Sequence, residues 1–380
     1  MVEIEGKCQA RFEKLRTLLA ENVESGRELG ASINIQIDGE TVVDIWGGFA
    51  DGQRQRKWER DTIVNVWSVT KTITCLAALM LIDRGLLDPN EKVCKYWPEF
   101  AQNGKAEVRV RYLLSHSSGL PAWEQPIRVQ DICDLDAATA RLARQAPWHE
   151  PGVASAYNCF NMGHLVGELV RRITGKTLKQ FVHDEIAAPL AADFQIGAVE
   201  ESWPRIADMV PPQPPMVPES LGPKRSIVYR ALTSPPPDPV FAASSHWRRA
   251  DIGAANGHGN ARSTARILSV ISEGGQVGGV RLLSPKTIDL IFEEQTNGMD
   301  LVLGFPIRWG MGFALPMEET ADWIPLGRKC FWGGWGGSIV IMDLDHKMTI
   351  SYMMNKMYEG TMGSDNTEQY IRAIYEIIQG

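Results

Sequence analysis

The sequence predicts an α/β fold of the α+β type, with an antiparallel sheet assembled from both ends of the chain and a mostly helical subdomain inserted between them. Three observations carry this: strand patterns within residues 31–46, strand patterns again within 309–354, and mostly helical patterning from 86 to 200. The boundaries follow as 1–85 with 250–380 for the discontinuous α/β subdomain and 86–249 for the helical one. At 380 residues, 44% apolar and 22% charged, the chain has material for a large shared core.

Residues 9–28 read as an amphipathic helix ending near Gly26. Ala31-Ser32-Ile33-Asn34-Ile35-Gln36-Ile37 then alternates with period two, Asp38-Gly39 is a hairpin signal, and Thr41-Val42-Val43-Asp44-Ile45-Trp46 returns as the second strand. After Ser68, Ile73, Leu76, Ala77, Met80 and Leu81 recur at helical spacing, with Gly85 placed to cap the helix. Loops are expected at Leu114–Pro121 and around Trp148–Gly152, and a helix after Tyr157 closes at Gly175. Between residues 204 and 239 lie eleven of the 22 prolines, including Pro211-Pro212-Gln213-Pro214-Pro215 and Pro235-Pro236-Pro237. Such a stretch reads either as an ordered wall or lid over a site or as a surface excursion. Strand character resumes at Trp309–Phe313, Gly337–Met342 and Met348–Met354, and a final helix runs from about Asp365 to Ile378.

Composition narrows the function classes. The net charge of −7 is modest and the Lys and Arg residues are scattered, which argues against nucleic acid and anionic membrane as partners. The first residues, Met1-Val2-Glu3-Ile4-Glu5-Gly6, carry no export pattern, and no apolar run reaches bilayer-spanning length. Six cysteines have no paired or metal-like spacing, so a cytoplasmic protein with reduced thiols is expected. The seven histidines show no ligand spacing; neither a metal nor a cofactor is expected.

The chemistry starts at Ser68-Val69-Thr70-Lys71. On a helix, a hydroxyl and an amine three residues apart share a face, and a Ser at the helix start sits among free N–H groups that favour developing negative charge. Alone, such a match arises on the order of once by chance in a chain of this length. Its setting adds weight: a strand leads into it, Trp67 precedes it, and the helix that follows is too apolar to face solvent.

Here the chain resembles the serine β-lactamases, penicillin-binding proteins and related esterases and acyltransferases, from about residue 30 to 355. Val66-Trp67-Ser68-Val69-Thr70-Lys71 and Leu113-Leu114-Ser115-His116-Ser117-Ser118-Gly119-Leu120 are similar to two signatures of its esterase branch, the class C β-lactamase-like (family VIII) carboxylesterases and lovastatin-type transesterases. The segment from Ala156 to Leu169 matches the region of the family's catalytic tyrosine, so Tyr157 is carried over as the third catalytic group beside Ser68 and Lys71. Phe331-Trp332-Gly333-Gly334-Trp335-Gly336-Gly337 matches the Trp-Gly-Gly form of the family's Gly-rich strand. The resemblance then implies an oxyanion hole from the Ser68 and Trp335 N–H groups and a pocket lined by Trp332, Gly333 and Gly334; among the twelve tryptophans, Trp123 is a further candidate for a hydrophobic pocket wall. It also implies the β-lactamase-like version of the fold. Cys159 departs from the family's Tyr-x-Asn, and the Lys of Lys-Thr-Gly is replaced by Trp332; both changes point away from lactams. Ser364-Asp365-Asn366 spells a lactamase triplet but falls before the last helix, where it reads as an N-cap.

The expected activity is a carboxylesterase acting through a Ser68 acyl-enzyme on a small-molecule ester. The alternatives are an acyltransferase that moves the acyl group onto a secondary-metabolite alcohol, a β-lactamase or DD-peptidase, and a catalytically silent binding protein. Free Lys and Tyr titrate near about 10.4 and 10, so burial or coupling must poise Lys71 and Tyr157.

Overall fold

The computed structural model describes residues 2–213 and 221–380. One nine-stranded antiparallel sheet runs in the order Ile4–Cys8, Glu40–Gly48, Gly30–Ile37, Met348–Met354, Ile339–Asp343, Lys329–Gly333, Ala314–Leu315, Pro306–Trp309, Thr296–Met299. The expected assembly from both termini is therefore made at one seam, where Ile350 lies opposite Ile35 and Met354 opposite Ala31. The hairpin at Asp38-Gly39 has φ of 49° and 79°, the left-handed pair that a two-residue turn between twisted strands requires.

Side-chain alternation along Met348–Met354 shows how the sheet is covered. Thr349 and Ser351 hydrogen-bond Ser272 (2.8 Å) and Thr264 (2.6 Å) of the helix Ala261–Ser272. Tyr352 points the other way, to Glu28 and to Tyr370 of the terminal helix Asp365–Gln379. Period two thus sends successive residues to different helices, with buried hydroxyls paired across each contact. Ser364 caps the terminal helix, its Oγ accepting from the Thr367 N–H at 3.3 Å.

Between the sheet's two halves come the helices Val110–Leu114, Leu135–Arg144, Asn161–Thr174 and Leu178–Val182. Asn161–Thr174 stops where Gly175 takes φ 74°, as its sequence predicts. The helix Thr70–Asp83 is buried from Thr70 to Leu81, which explains its all-round apolar composition. The first helix spans Glu13–Glu24 rather than 9–28, because Ile4–Cys8 pairs with Glu40–Gly48 and the chain must turn before the helix begins. Of the Pro-rich segment, residues 214–220 lie outside the described residues. Among the described residues no helix is long and apolar enough to cross a membrane.

Candidate active site

Ser68 stands in a short turn, Trp67–Val69, that opens the buried helix. Trp67 is held at φ 47°, a left-handed conformation costing a bulky residue about 1–2 kcal/mol. The surroundings fix it: Thr70 Oγ1 donates to the Trp67 carbonyl (2.5 Å) and accepts from the Gly257 N–H (2.8 Å), and the Val66 N–H donates to the Gly257 carbonyl (2.9 Å). Asn65, just upstream, donates to the Ala255 carbonyl and accepts from the Trp247 indole. The turn is thus clamped to the segment 247–257, far away in sequence.

Lys71 lies one turn on and is fully withdrawn from water. Its Nζ donates to Ser68 Oγ at 3.0 Å, to the Cys159 carbonyl at 2.8 Å and to the Ala254 carbonyl at 2.9 Å. Burial without an acidic partner pulls the amine down to about 7. Two carbonyls suffice for the two N–H bonds of a neutral amine, whose lone pair then faces the Ser68 hydroxyl.

Tyr157 completes the group. Its ring lies 4.7 Å from Lys71 Nζ, and its hydroxyl accepts from the Trp332 indole N–H at 3.1 Å. Burial pushes this hydroxyl far above the ordinary tyrosine value, against hydrogen bonding from Ser68 and Trp332. His116, from the second signature, packs its ring 4.9 Å from Tyr157 and 4.5 Å from Trp309. Its Nδ1 lies 3.1 Å from the Asn158 N–H and 3.2 Å from the Asn158 side-chain oxygen; burial, then the Lys71 charge, lowers the ring to about 3 against that side-chain contact.

A cavity of about 230 Å³ opens over Ser68, Tyr157 and Cys159. Trp67, Phe160 and Trp335 form one apolar wall, with the Trp67 and Trp335 ring centroids 5.2 Å apart. Leu232 and Pro237 bring the Pro-rich segment to the cavity, so its described part is a wall. This wall is anchored by Gln125, whose side-chain amide donates to the Thr233 carbonyl and Ser234 hydroxyl, and by the Arg230–Glu124 ion pair. No Lys or Arg belongs to the lining among the described residues.

Neither the Ser68 nor the Trp335 N–H meets an acceptor among the described residues, and both residues border the cavity. Gly334 explains why Trp335 comes so close: a Cβ there would stand 2.4 Å from the Val66 carbonyl oxygen. Gly333 is equally tight against the Thr361 carbonyl. These glycines serve backbone approach rather than the cavity surface.

Two expected pocket residues lie elsewhere. Trp332 is buried behind Tyr157, its indole N–H committed to the tyrosine hydroxyl, and it is not among the residues bordering the cavity. Trp123 is buried between the helices Leu135–Arg144 and Asn161–Thr174, its N–H on the Ala138 carbonyl and its ring edge-on to His164. Sequence reasoning missed Ala254 and the wall residues Val302, Leu303 and Phe305. A main-chain carbonyl leaves no side-chain signal, and a short apolar loop reads as core.

A buried serine, a desolvated lysine, a tyrosine and unpaired N–H donors around one cavity define a nucleophilic acyl-transfer site. The chain belongs to the β-lactamase family, whose profile matches residues 15–373. It is 30% identical over 372 residues to the esterase/beta-lactamase LipL of Mycobacterium tuberculosis, covering 95% of this chain and 85% of that protein. The crystal structure of a family VIII carboxylesterase is similar at 36% identity and a TM-score of 0.92, covering 99% of this chain and all of that one. A penicillin-binding protein homologue from Caulobacter crescentus is similar at 34% identity and a TM-score of 0.91, with the same coverage.

Proposed function

We propose that the protein hydrolyses small neutral carboxylic esters through a Ser68 acyl-enzyme. The observation that carries the reading is the 3.0 Å contact between Ser68 Oγ and a Lys71 amine that burial makes available as a base near neutral pH. As Ser68 Oγ bonds to the ester carbonyl carbon, its proton passes to Lys71. The negative charge that develops on the carbonyl oxygen is held by the Ser68 and Trp335 N–H groups. When the tetrahedral intermediate collapses, the C–O bond to the leaving alcohol breaks. Tyr157, kept as a hydroxyl by its burial, hands its proton to the departing oxygen and takes the one held by Lys71. Water then repeats the sequence and frees Ser68.

The cavity supports the substrate class. Among the described residues its walls are mostly apolar and carry no cation, so an uncharged ester leaves no buried charge unpaired, whereas a lactam's carboxylate does. The name of one relative, a family VIII carboxylesterase, agrees with this, while that of LipL, esterase/beta-lactamase, covers both substrate classes. Transfer of the acyl group to an alcohol uses the same acyl-enzyme and is a question of which acceptor arrives. Six free cysteines support a cytoplasmic setting.

The test is a panel of p-nitrophenyl esters beside a chromogenic cephalosporin, with intact-mass analysis after a serine-directed phosphonate. Ester turnover and one adduct that disappears in Ser68→Ala are expected. Faster p-nitrophenol release on adding alcohol marks transfer. Rapid cephalosporin turnover, or an adduct persisting in Ser68→Ala, overturns the reading.

A further inference from the structure

Asp300 is a buried acidic side chain that the mechanism above does not use. It is 0% exposed, and its Oδ1 accepts three main-chain N–H bonds: from Tyr157 at 3.0 Å, Val302 at 2.9 Å and Leu303 at 3.0 Å. The first donor belongs to the catalytic tyrosine. The other two belong to a loop whose Val302, Leu303 and Phe305 border the cavity. That loop is closed on itself by the Asp300 N–H on the Phe305 carbonyl (3.0 Å) and the Gly304 N–H on the Asp300 carbonyl (3.0 Å). It is tied to the tyrosine's segment once more, by the Leu301 N–H on the Ser155 carbonyl at 2.9 Å.

One oxygen atom therefore joins the backbone of the proton donor to one wall of the substrate cavity. Only a short side chain ending in an acceptor, at this position, reaches all three donors; an apolar residue leaves three buried N–H groups unpaired. We infer that Asp300 is a positioning residue for ester cleavage, which sets Tyr157 against Ser68 and fixes the 302–305 wall in the same register. Loss of its oxygen lets the tyrosine and the wall shift separately.

This inference rests on the esterase reading, and ester turnover by the wild type is the control that tests that reading by itself. Given turnover, a misplacement of about 1 Å is worth about 100-fold in rate, so Asp300→Ala is expected to lower kcat by that order. Asp300→Asn keeps an acceptor oxygen and is expected to recover most of the loss, remaining within about tenfold of wild type. In a Tyr157→Phe background the same Asp300→Ala change is expected to cost less than about threefold, since residues acting as one unit are non-additive. Asp300→Ala is also expected to change the ratio of rates on short and long acyl chains, which Tyr157→Phe leaves alone. A folded Asp300→Ala enzyme with wild-type kcat, or full additivity with Tyr157→Phe, overturns the assignment. Should Asp300→Ala not fold, amide exchange by mass spectrometry decides for Asp300→Glu, which keeps the carboxylate but moves its oxygens outward by one methylene. Faster exchange confined to the peptides holding Tyr157, Val302 and Leu303 is expected, and unchanged exchange there overturns the proposal.

Discussion

Lys71 and Glu28 are both withdrawn from water, and burial moves both to about 7, the amine downward and the carboxyl upward. Their surroundings differ in kind. Glu28 sits where the two ends of the chain meet, accepting from Tyr352 and from the Asn366 side-chain amide at 3.1 Å, with Tyr370 close by. It borders none of the site cavity. Lys71 has a nucleophile at 3.0 Å and stands beneath that cavity. A displaced titration records desolvation; an acceptor for the reacting proton, and room for a substrate, turn it into chemistry.

That contrast is broken or sharpened first at the nucleophile. Ser68→Ala is expected to lower ester turnover at least about 10⁴-fold, and Lys71→Met by about 10²–10⁴-fold, while Glu28→Gln leaves turnover at the wild-type level. Steady-state kinetics on p-nitrophenyl esters measures all three, and a Glu28→Gln enzyme as dead as Lys71→Met would erase the distinction.

Next comes the strand edge. Adding a methyl in Gly334→Ala pushes the Trp335 N–H away from Ser68, with an expected loss of about 10²-fold in kcat and little change in KM, the scale of one oxyanion donor.

A pH profile separates the two groups further. The kcat/KM is expected to rise tenfold per pH unit up to about 7 and then level off, as Lys71 loses its proton. A limb near an ordinary lysine value, unchanged in every variant, removes Lys71 as the base.

On stability the two groups oppose one another. Between about 4.5 and 7 the folded state keeps a proton on Glu28 that the unfolded chain has released, so this group makes stability fall as pH rises. Between about 7 and 10.5 the unfolded chain holds a proton on Lys71 that the folded state lacks, so that group makes stability rise. Denaturant titrations across pH should show the first slope lost in Glu28→Gln and the second in Lys71→Met, each worth on the order of a few kcal/mol.

What the sequence discloses follows from how local each signal is. Ser68 and Lys71 are legible because three residues on a helix place them together whatever the rest of the chain does. Asp38-Gly39 and Gly175 are legible for the same reason, since one turn or one cap fixes them. Tyr157 needed the resemblance, because nothing near it in sequence says that it meets a serine 89 positions earlier. The direction of the Trp332 indole depends on strand register and on the tyrosine behind it, so a tryptophan in a Gly-rich strand reads as pocket from sequence alone. Lys71 is braced by the carbonyls of Cys159 and Ala254, which any residue supplies. Ile4–Cys8 went unread as a strand because three of its five residues face solvent and its pairing partner lies beyond a whole helix.

The seam between Gly30–Ile37 and Met348–Met354 carries a consequence for synthesis. Ser68 and Lys71 leave the ribosome early, but the Gly333–Trp335 edge is set in place by the late strands Ile339–Asp343 and Met348–Met354. Until those strands dock, the serine has no facing N–H donor and no enclosed space. A chain truncated before Ile339 is therefore expected to be inert toward esters, with reactivity beginning only when the final strands close the sheet.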